Sequence, residues 1–286
     1  MENRSFYIDL IKKIGFSKGD TVLLAADFVN MLIFFKNKKH HFNSNTFIDA
    51  IIEVLGNTGN LLLPTHNWDF CETKKYDYYK TKSMTGSLGK TALKRNDFSR
   101  SNNPIFSFAI WGKSKDIYIN TKHKSCFGKN SPFDLLYKNS AKHISLNLDY
   151  KDSGFTFVHY IEEKVGVNYR FFKKFKGMYT NKNGLEEKIE YDFYVRDKNK
   201  ALRTSIKKET DKHLQTINAL KKIKLEFGFS TVIDLRKATD YLINNIKENS
   251  EQNRLIFPML SGKFLRKSIN DFEYNSWSNV QIWKLN

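Results

Sequence analysis

The sequence predicts an α/β fold: a mixed central sheet covered by helices on both faces, with a peripheral β-hairpin. Helical periodicities alternate with short, wholly apolar runs, the pattern of strands buried on both sides. One later stretch switches to residue-by-residue alternation around Asn181-Lys182-Asn183-Gly184, the pattern of a hairpin. No repeat and no linker rich in Pro, Gly or Ser interrupts the chain. Its 286 residues therefore read as one unit, with a core over about 1–177 and a hairpin and helical carboxy-terminal part over about 178–286.

Taken in order, Phe6, Leu10, Ile11 and Ile14 recur at helical spacing, and Gly15 stops that element. Gly19-Asp20 turns the chain into Thr21 to Ala26, a buried strand. A second helix is expected from about Asn45. There Thr46 and Asp49 have capping-box spacing, Phe47, Ile51 and Leu55 share a face, and Gly56 ends the element. Asn57 to Asn60 turns into the strand Leu61-Leu62-Leu63, which Pro64 closes. Ile105 to Trp111 and Ile144 to Leu148 are two further strands. A helix bearing His159 follows the second, and the hairpin spans Met178 to Asp197. Beyond it the chain reads as helical, first over a long polar stretch from Ser205 to Glu226. A clearer amphipathic helix then runs from Thr231 to Ile246.

Composition narrows the function classes. Hydrophobic residues make up 40% of the chain, enough for a sizeable core and against disorder as the main state. No apolar run approaches a membrane span, and Met1-Glu2-Asn3-Arg4 carries no signal core, so a cytoplasmic protein without membrane attachment is expected. Cys71 and Cys126 offer neither a disulfide framework nor zinc spacing, and no metal is expected. With 48 Lys and Arg against 30 Asp and Glu, the net charge is +18, which favours anionic partners. Nucleic acid is one such partner, and Tyr169, Phe171 and Phe172 stand among basic residues. However, zinc-finger, RNP-like and helix-turn-helix patterns are all missing, which ranks nucleic acid last.

Two regions carry candidate chemistry. The loop from Ser83 to Ser101 holds Ser83, Thr85, Gly86, Arg100 and Ser101. Small residues with free backbone N–H groups, beside an arginine, suit the phosphates or pantetheine arm of a cofactor. The second region is Phe155 to Glu162, followed by Asn168-Tyr169-Arg170. At a spacing of three on a helix, His159 and Glu162 share one face, so a base and an acid address the same volume. The competing account of such a histidine is a half-buried side chain with its hydrogen bonds satisfied.

The order of short motifs resembles the aminoglycoside 3-N-acetyltransferase family, which transfers acetyl from acetyl-CoA to an amine. The matching pieces are Gly19 to Leu24, Ala50 to Gly56, Gly59 to Thr65, Thr85-Gly86, and Arg100-Ser101 with Pro104 and Ser107. Ser131-Pro132 with Leu135, then Thr156 with His159 and Glu162, complete the series. They cover about the first two thirds. The chain departs from the family where Ala25-Ala26-Asp27 replaces His-Ser-Ser, where Lys90 stands in place of a glutamate, and at Asn103-Pro104 in place of His-Pro.

The resemblance implies acetyl-CoA as co-substrate, His159 as general base and Glu162 as its carboxylate partner. Glu162 either orients His159 or holds the incoming ammonium. Cofactor contacts are expected from Ser83, Thr85, Gly86, Arg100, Ser101 and Thr65. Acceptor contacts are expected from Asp27, His66, Thr156, Tyr169 and Arg170. The excess of positive charge points to a nucleotide-linked amino-deoxy sugar for surface-glycan biosynthesis rather than to a polycationic aminoglycoside, which is the alternative. The small-molecule partners are thus an amino sugar and CoA, with a homo-oligomer left open.

Overall fold

The computed structural model describes residues 4–152 and 154–260. Its strands, in chain order, are β1 (Thr21–Ala26), β2 (Asn60–Pro64), β3 (Lys75–Asp77), β4 (Ser99–Arg100), β5 (Phe108–Gly112) and β6 (Lys142–Leu146). They continue with β7 (Arg170–Thr180), β8 (Glu186–Arg196), β9 (Leu202–Ile206), β10 (Leu220–Leu225), β11 (Gly228–Asp234) and β12 (Ile256–Leu260). The main sheet runs β10-β11-β6-β1-β2-β5-β4. Its centre is parallel: β1 pairs with β2 on one side (Leu23 opposite Leu62) and with β6 on the other (Leu24 opposite Ile144). The outer strands β11, β10, β5 and β4 are antiparallel, so the sheet is mixed as expected.

Both faces are covered, and the central strands show how. In β1, Val22 and Leu24 enter one core cluster while Leu23 enters the other; in β2, Leu61 and Leu63 are divided in the same way from Leu62. Successive side chains of a strand point to opposite faces, so a run of leucines fills both. The first face packs against helices Arg4–Lys13 and Ser44–Leu55 through Tyr7, Leu10, Ile11, Phe47 and Ile51. The second packs against helices Pro132–Lys138, Val158–Val165 and Leu235–Glu248 through Phe133, Ile161, Leu242 and Ile246. The hairpin β7–β8 joins β3 in a separate three-stranded sheet, and β9 pairs with β12.

Several local expectations need correction. The helix beginning at Ser44 is capped by Asn43, whose side-chain oxygen accepts from Asn45 and Thr46 N–H at 2.9 and 3.1 Å. Asp49, the would-be capping-box partner, instead pairs with Arg95 at 2.7 Å. A helix over Val29–Asn37 was not foreseen. Its apolar residues surround it, with Met31 and Phe35 buried but Val29, Leu32 and Ile33 exposed, so no one-sided period marks it. The stretch Ser205 to Glu226 is not mainly helical. It contains the end of β9, one short helix (Thr210–Thr216) and β10, where Leu220 and Leu225 are buried and the intervening lysines face outward. The amphipathic helix starts at Leu235 rather than Thr231. Thr231-Val232-Ile233 are β-branched and lie in β11, and Asp234 caps the helix by accepting from Lys237 N–H at 3.0 Å. Residues 261–286 of the expected carboxy-terminal part lie outside the described residues.

Candidate active site

Because β1, β2 and β6 are parallel, their carboxyl ends lie on one edge of the sheet. That edge carries Asp27 after β1, Thr65 and His66 after β2, and Asn147 after β6. Open α/β sheets bind ligands in this position, beyond the carboxyl ends of the strands. The chain leaving β6 returns as the helix Val158–Val165. Val158 and Ile161 anchor it in the core, and Gly166 ends it with a left-handed φ of 75°. His159 and Glu162 occupy one face of that helix.

Glu162 is completely buried, yet four groups serve its carboxylate. His159 Nδ1 lies 2.9 Å from Oε2, and the Tyr169 hydroxyl donates to Oε1 at 2.9 Å. The Thr204 hydroxyl donates to Oε1 at 2.5 Å. Arg170 Nε sits 2.7 Å from Oε2 as an ion pair without hydrogen-bond alignment. The rest of the Arg170 guanidinium donates to Tyr194 O (3.0 Å) and to Thr204 Oγ1 (2.8 Å). Burial opposes ionisation of Glu162, but Arg170, His159 and Thr204 together hold its pKa below the ordinary value. A carboxylate only accepts, so Nδ1 of His159 carries the proton and Nε2 keeps its lone pair. Burial, then the Arg170 charge, lowers the His159 pKa against the opposing pull of Glu162. The ring is one quarter exposed and packs on Phe127 at 5.4 Å between centroids. A neutral imidazole with one nitrogen held by a carboxylate can take a proton on the other.

A cavity of about 210 Å³ opens at His159 and is lined by Lys151, Gly154, Thr156, Thr204 and Ile206 among others. Thr156 therefore does reach the site. Lys151 is held by Asp149 at 2.9 Å and Asp211 at 3.1 Å. Tyr169 and Arg170, expected at the acceptor, lie against Glu162. Asp27 accepts from Val29 N–H at 2.9 Å, at the start of the helix that follows β1.

His66 is 2% exposed and lies among Phe106, Phe108 and Trp68, with ring centroids at 4.9, 5.4 and 6.2 Å. Burial, then the charges of His159 and Arg100, pushes its pKa down to about 3, so its ring stays neutral. Its Nε2 is buried without a partner. Thr85 Oγ1 accepts from His66 N–H at 3.0 Å, and Ser83 Oγ donates to Thr85 O at 2.7 Å, so this part of the loop clamps the end of β2. Gly86 has a left-handed φ of 58°, with open space where a Cβ would point. Arg100 is 2% exposed and directs its guanidinium inward: to Ser107 Oγ (3.0 Å), Thr81 O (2.5 Å) and Thr65 O (3.2 Å). Thr65 Oγ1 shares a hydrogen bond with Ser107 Oγ at 2.9 Å, and Ser101 Oγ accepts from Phe108 N–H at 2.9 Å. Arg100, Ser101 and Thr65 thus tie the loop to the strand ends.

Thr204 and Phe127 were missed from the sequence. The alternation of Leu202, Thr204 and Ile206 marks β9 and would have turned Thr204 to one face, but the segment read as the approach to a helix. Phe127 gave no signal. Gly89 was also missed: a Cβ there would lie 2.3 Å from Pro64 O, so only glycine lets its helix approach the end of β2.

Fold and geometry together define an α/β core bearing a carboxylate-held histidine at the carboxyl ends of its parallel strands. The model of the aminoglycoside 3-N-acetyltransferase family matches residues 36–247, and the chain belongs to that family of acetyltransferases. This agrees with the resemblance read from the ordered motifs. Similar solved structures include the aminoglycoside acetyltransferase AAC(3)-Xa, at 17% identity and a TM-score of 0.69 over 86% of this chain and 92% of that one. The YokD protein of Bacillus subtilis follows at 20% identity and a TM-score of 0.66, covering 86% and 95%. AAC-IIIb, solved as a binary complex with CoASH, has 12% identity and a TM-score of 0.67, covering 86% and 96%. Comparison with the curated proteins finds no match. Among the described residues no helix is long and apolar enough to cross a membrane, and no group of three or more His, Cys, Asp or Glu could hold a metal ion.

Proposed function

We propose that this protein transfers the acetyl group of acetyl-CoA to the primary amine of a nucleotide-linked amino-deoxy sugar, with His159 as general base. The observation that carries the catalytic part is the Nδ1 contact with buried Glu162 at 2.9 Å, which leaves Nε2 as the basic nitrogen. Acetyl-CoA supplies an activated acetyl thioester. The amine is protonated near neutral pH and becomes nucleophilic only after losing that proton, which His159 Nε2 is suited to accept. As the C–N bond forms and the C–S bond breaks, the proton on Nε2 passes to the departing thiolate, and the second proton that the nitrogen sheds on becoming an amide leaves to solvent. Glu162 keeps the ring oriented and stabilises its charged form, while Arg170, Tyr169 and Thr204 keep Glu162 ionised and in place.

The acceptor part rests on charge. A surface at +18 attracts a pyrophosphate-bearing sugar and repels a polycation. A second reading, acetylation of an aminoglycoside, is favoured by the family match and by a neighbour of the same fold, AAC-VIa, solved with sisomicin bound. Thiol release from acetyl-CoA, measured with dTDP- and UDP-linked amino sugars beside an aminoglycoside panel, separates the two. Turnover confined to nucleotide sugars supports the first reading, and turnover confined to aminoglycosides replaces it with the second.

A further inference from the structure

A second, larger cavity lies outside the His159 site described above. It measures about 870 Å³, within the usual range for small-molecule pockets, and opens between the loop 121–130 and the hairpin β7–β8. Lys122, Lys124, Lys129 and Lys182 line it, and none of the four has a carboxylate at salt-bridge distance among the described residues. Its own carboxylates do not balance them. Glu190 is taken by Lys174 at 2.7 Å and Lys176 at 3.2 Å. Burial pushes the Glu163 carboxyl up to about 7, and it accepts from the Ser125 hydroxyl at 2.7 Å. Glu187 alone remains. The rings of His123 and Tyr191, with centroids 5.6 Å apart and planes inclined at 67°, meet edge to face in the wall.

This cavity adjoins the His159 site. Glu163 stands one helical turn beyond His159 on the same helix, and Ser125 and Gly128 flank Phe127, on which the His159 ring packs. We propose that the cavity binds the nucleoside diphosphate of the acceptor, with its lysines on the phosphates and its aromatic wall beside the base. The assignment rests on the nucleotide-linked acceptor proposed above. Unpaired lysines select phosphate by charge and disfavour a polycationic sugar in the same volume.

The test is calorimetric titration of the full chain with dTDP, and separately with adenosine 3′,5′-diphosphate as a probe of CoA's own nucleotide arm. Three proteins are compared: wild type, Lys122→Glu/Lys129→Glu, and the control Lys12→Glu/Lys13→Glu on a distant helix. The lysines are exposed, and circular dichroism checks that each variant is folded. We expect the cavity variant to bind dTDP at least about tenfold more weakly, with the control and the adenosine probe unchanged. Equal dTDP affinity in all three proteins, or no dTDP binding by wild type, overturns the proposal. A loss confined to the adenosine probe also overturns it and assigns the cavity to the donor. A loss shared by the control attributes binding to the general field and overturns it as well. Acetylation of aminoglycosides alone would defeat the acceptor reading, whereas the dTDP titration judges the cavity by itself.

Discussion

His159 and Glu162 are joined at 2.9 Å through Nδ1 and Oε2, and one partner is a quarter exposed while the other is completely buried. That asymmetry defines the pair. The carboxylate is fixed by Tyr169, Thr204 and Arg170, and the imidazole is held by the carboxylate and packs on Phe127. The open side of the ring is thereby the one away from Glu162, where Nε2 lies.

Replacing His159 by Ala is expected to lower turnover by about a hundredfold or more, with thiol release as the measurement. Near-normal turnover would remove His159 from the chemistry. The wild-type profile has a predicted direction as well. A base works deprotonated, and the His159 pKa is lowered from 6.5. The acid limb of kcat/KM should therefore fall below pH 6.5, and a limb above that value would contradict the environment described for the ring.

The pair was legible in the sequence because helical spacing of three is a local property, and β1, β2 and β6 were legible because apolar runs of that length have few other uses. The companions of Glu162 were less so. The sequence places Tyr169 and Arg170 near the pair, but nothing local says that a buried carboxylate needs them. Thr204 is forty-two residues away from Glu162 and reaches it only because β9 returns beside the helix. Arg100 likewise looked like a phosphate ligand. Its actual partners, the carbonyls of Thr65 and Thr81, exist only after the strands assemble.

Glu162→Gln should separate stability from orientation. The amide keeps the shape but removes the charge facing Arg170, and a buried ion left without its partner costs about 3–5 kcal/mol. We expect a markedly lower midpoint in urea and a loss of turnover with little change in acceptor KM. A variant as stable as wild type would mean that Arg170 finds another counter-charge.

Gly89→Ala tests the support beneath the site. The added Cβ would meet Pro64 O at 2.3 Å and the Thr65 methyl at 3.1 Å, and the first of these is backbone that cannot rotate away. Overpacking of this kind costs about 1–3 kcal/mol. Because Pro64 leads directly into Thr65 and His66, turnover should fall along with stability. Denaturant unfolding and thiol release, measured on the same preparation, check both.

The stability of the protein should decline in acid, and His143 should account for part of that decline. His143 lies in β6, completely buried against Phe155 at 5.2 Å, with neither ring nitrogen partnered. Burial pushes its pKa down to about 3, as burial and neighbouring charges do for His66. In the unfolded chain both histidines return to their ordinary value near 6.5. Between pH 3 and 6.5 the unfolded state therefore binds more protons at these two sites than the folded state, and their contribution to stability falls as pH falls through that window. Each group contributes a slope of up to about 1.4 kcal/mol per pH unit. Replacing His143 by Leu removes the contribution of that ring and breaks no hydrogen bond, since neither of its nitrogens is partnered. Urea unfolding of wild type and His143→Leu at several pH values should give converging stabilities at low pH or even a crossover, as the wild type loses more on acidification. Parallel pH dependence in the two proteins would show that His143 keeps an ordinary pKa in the fold.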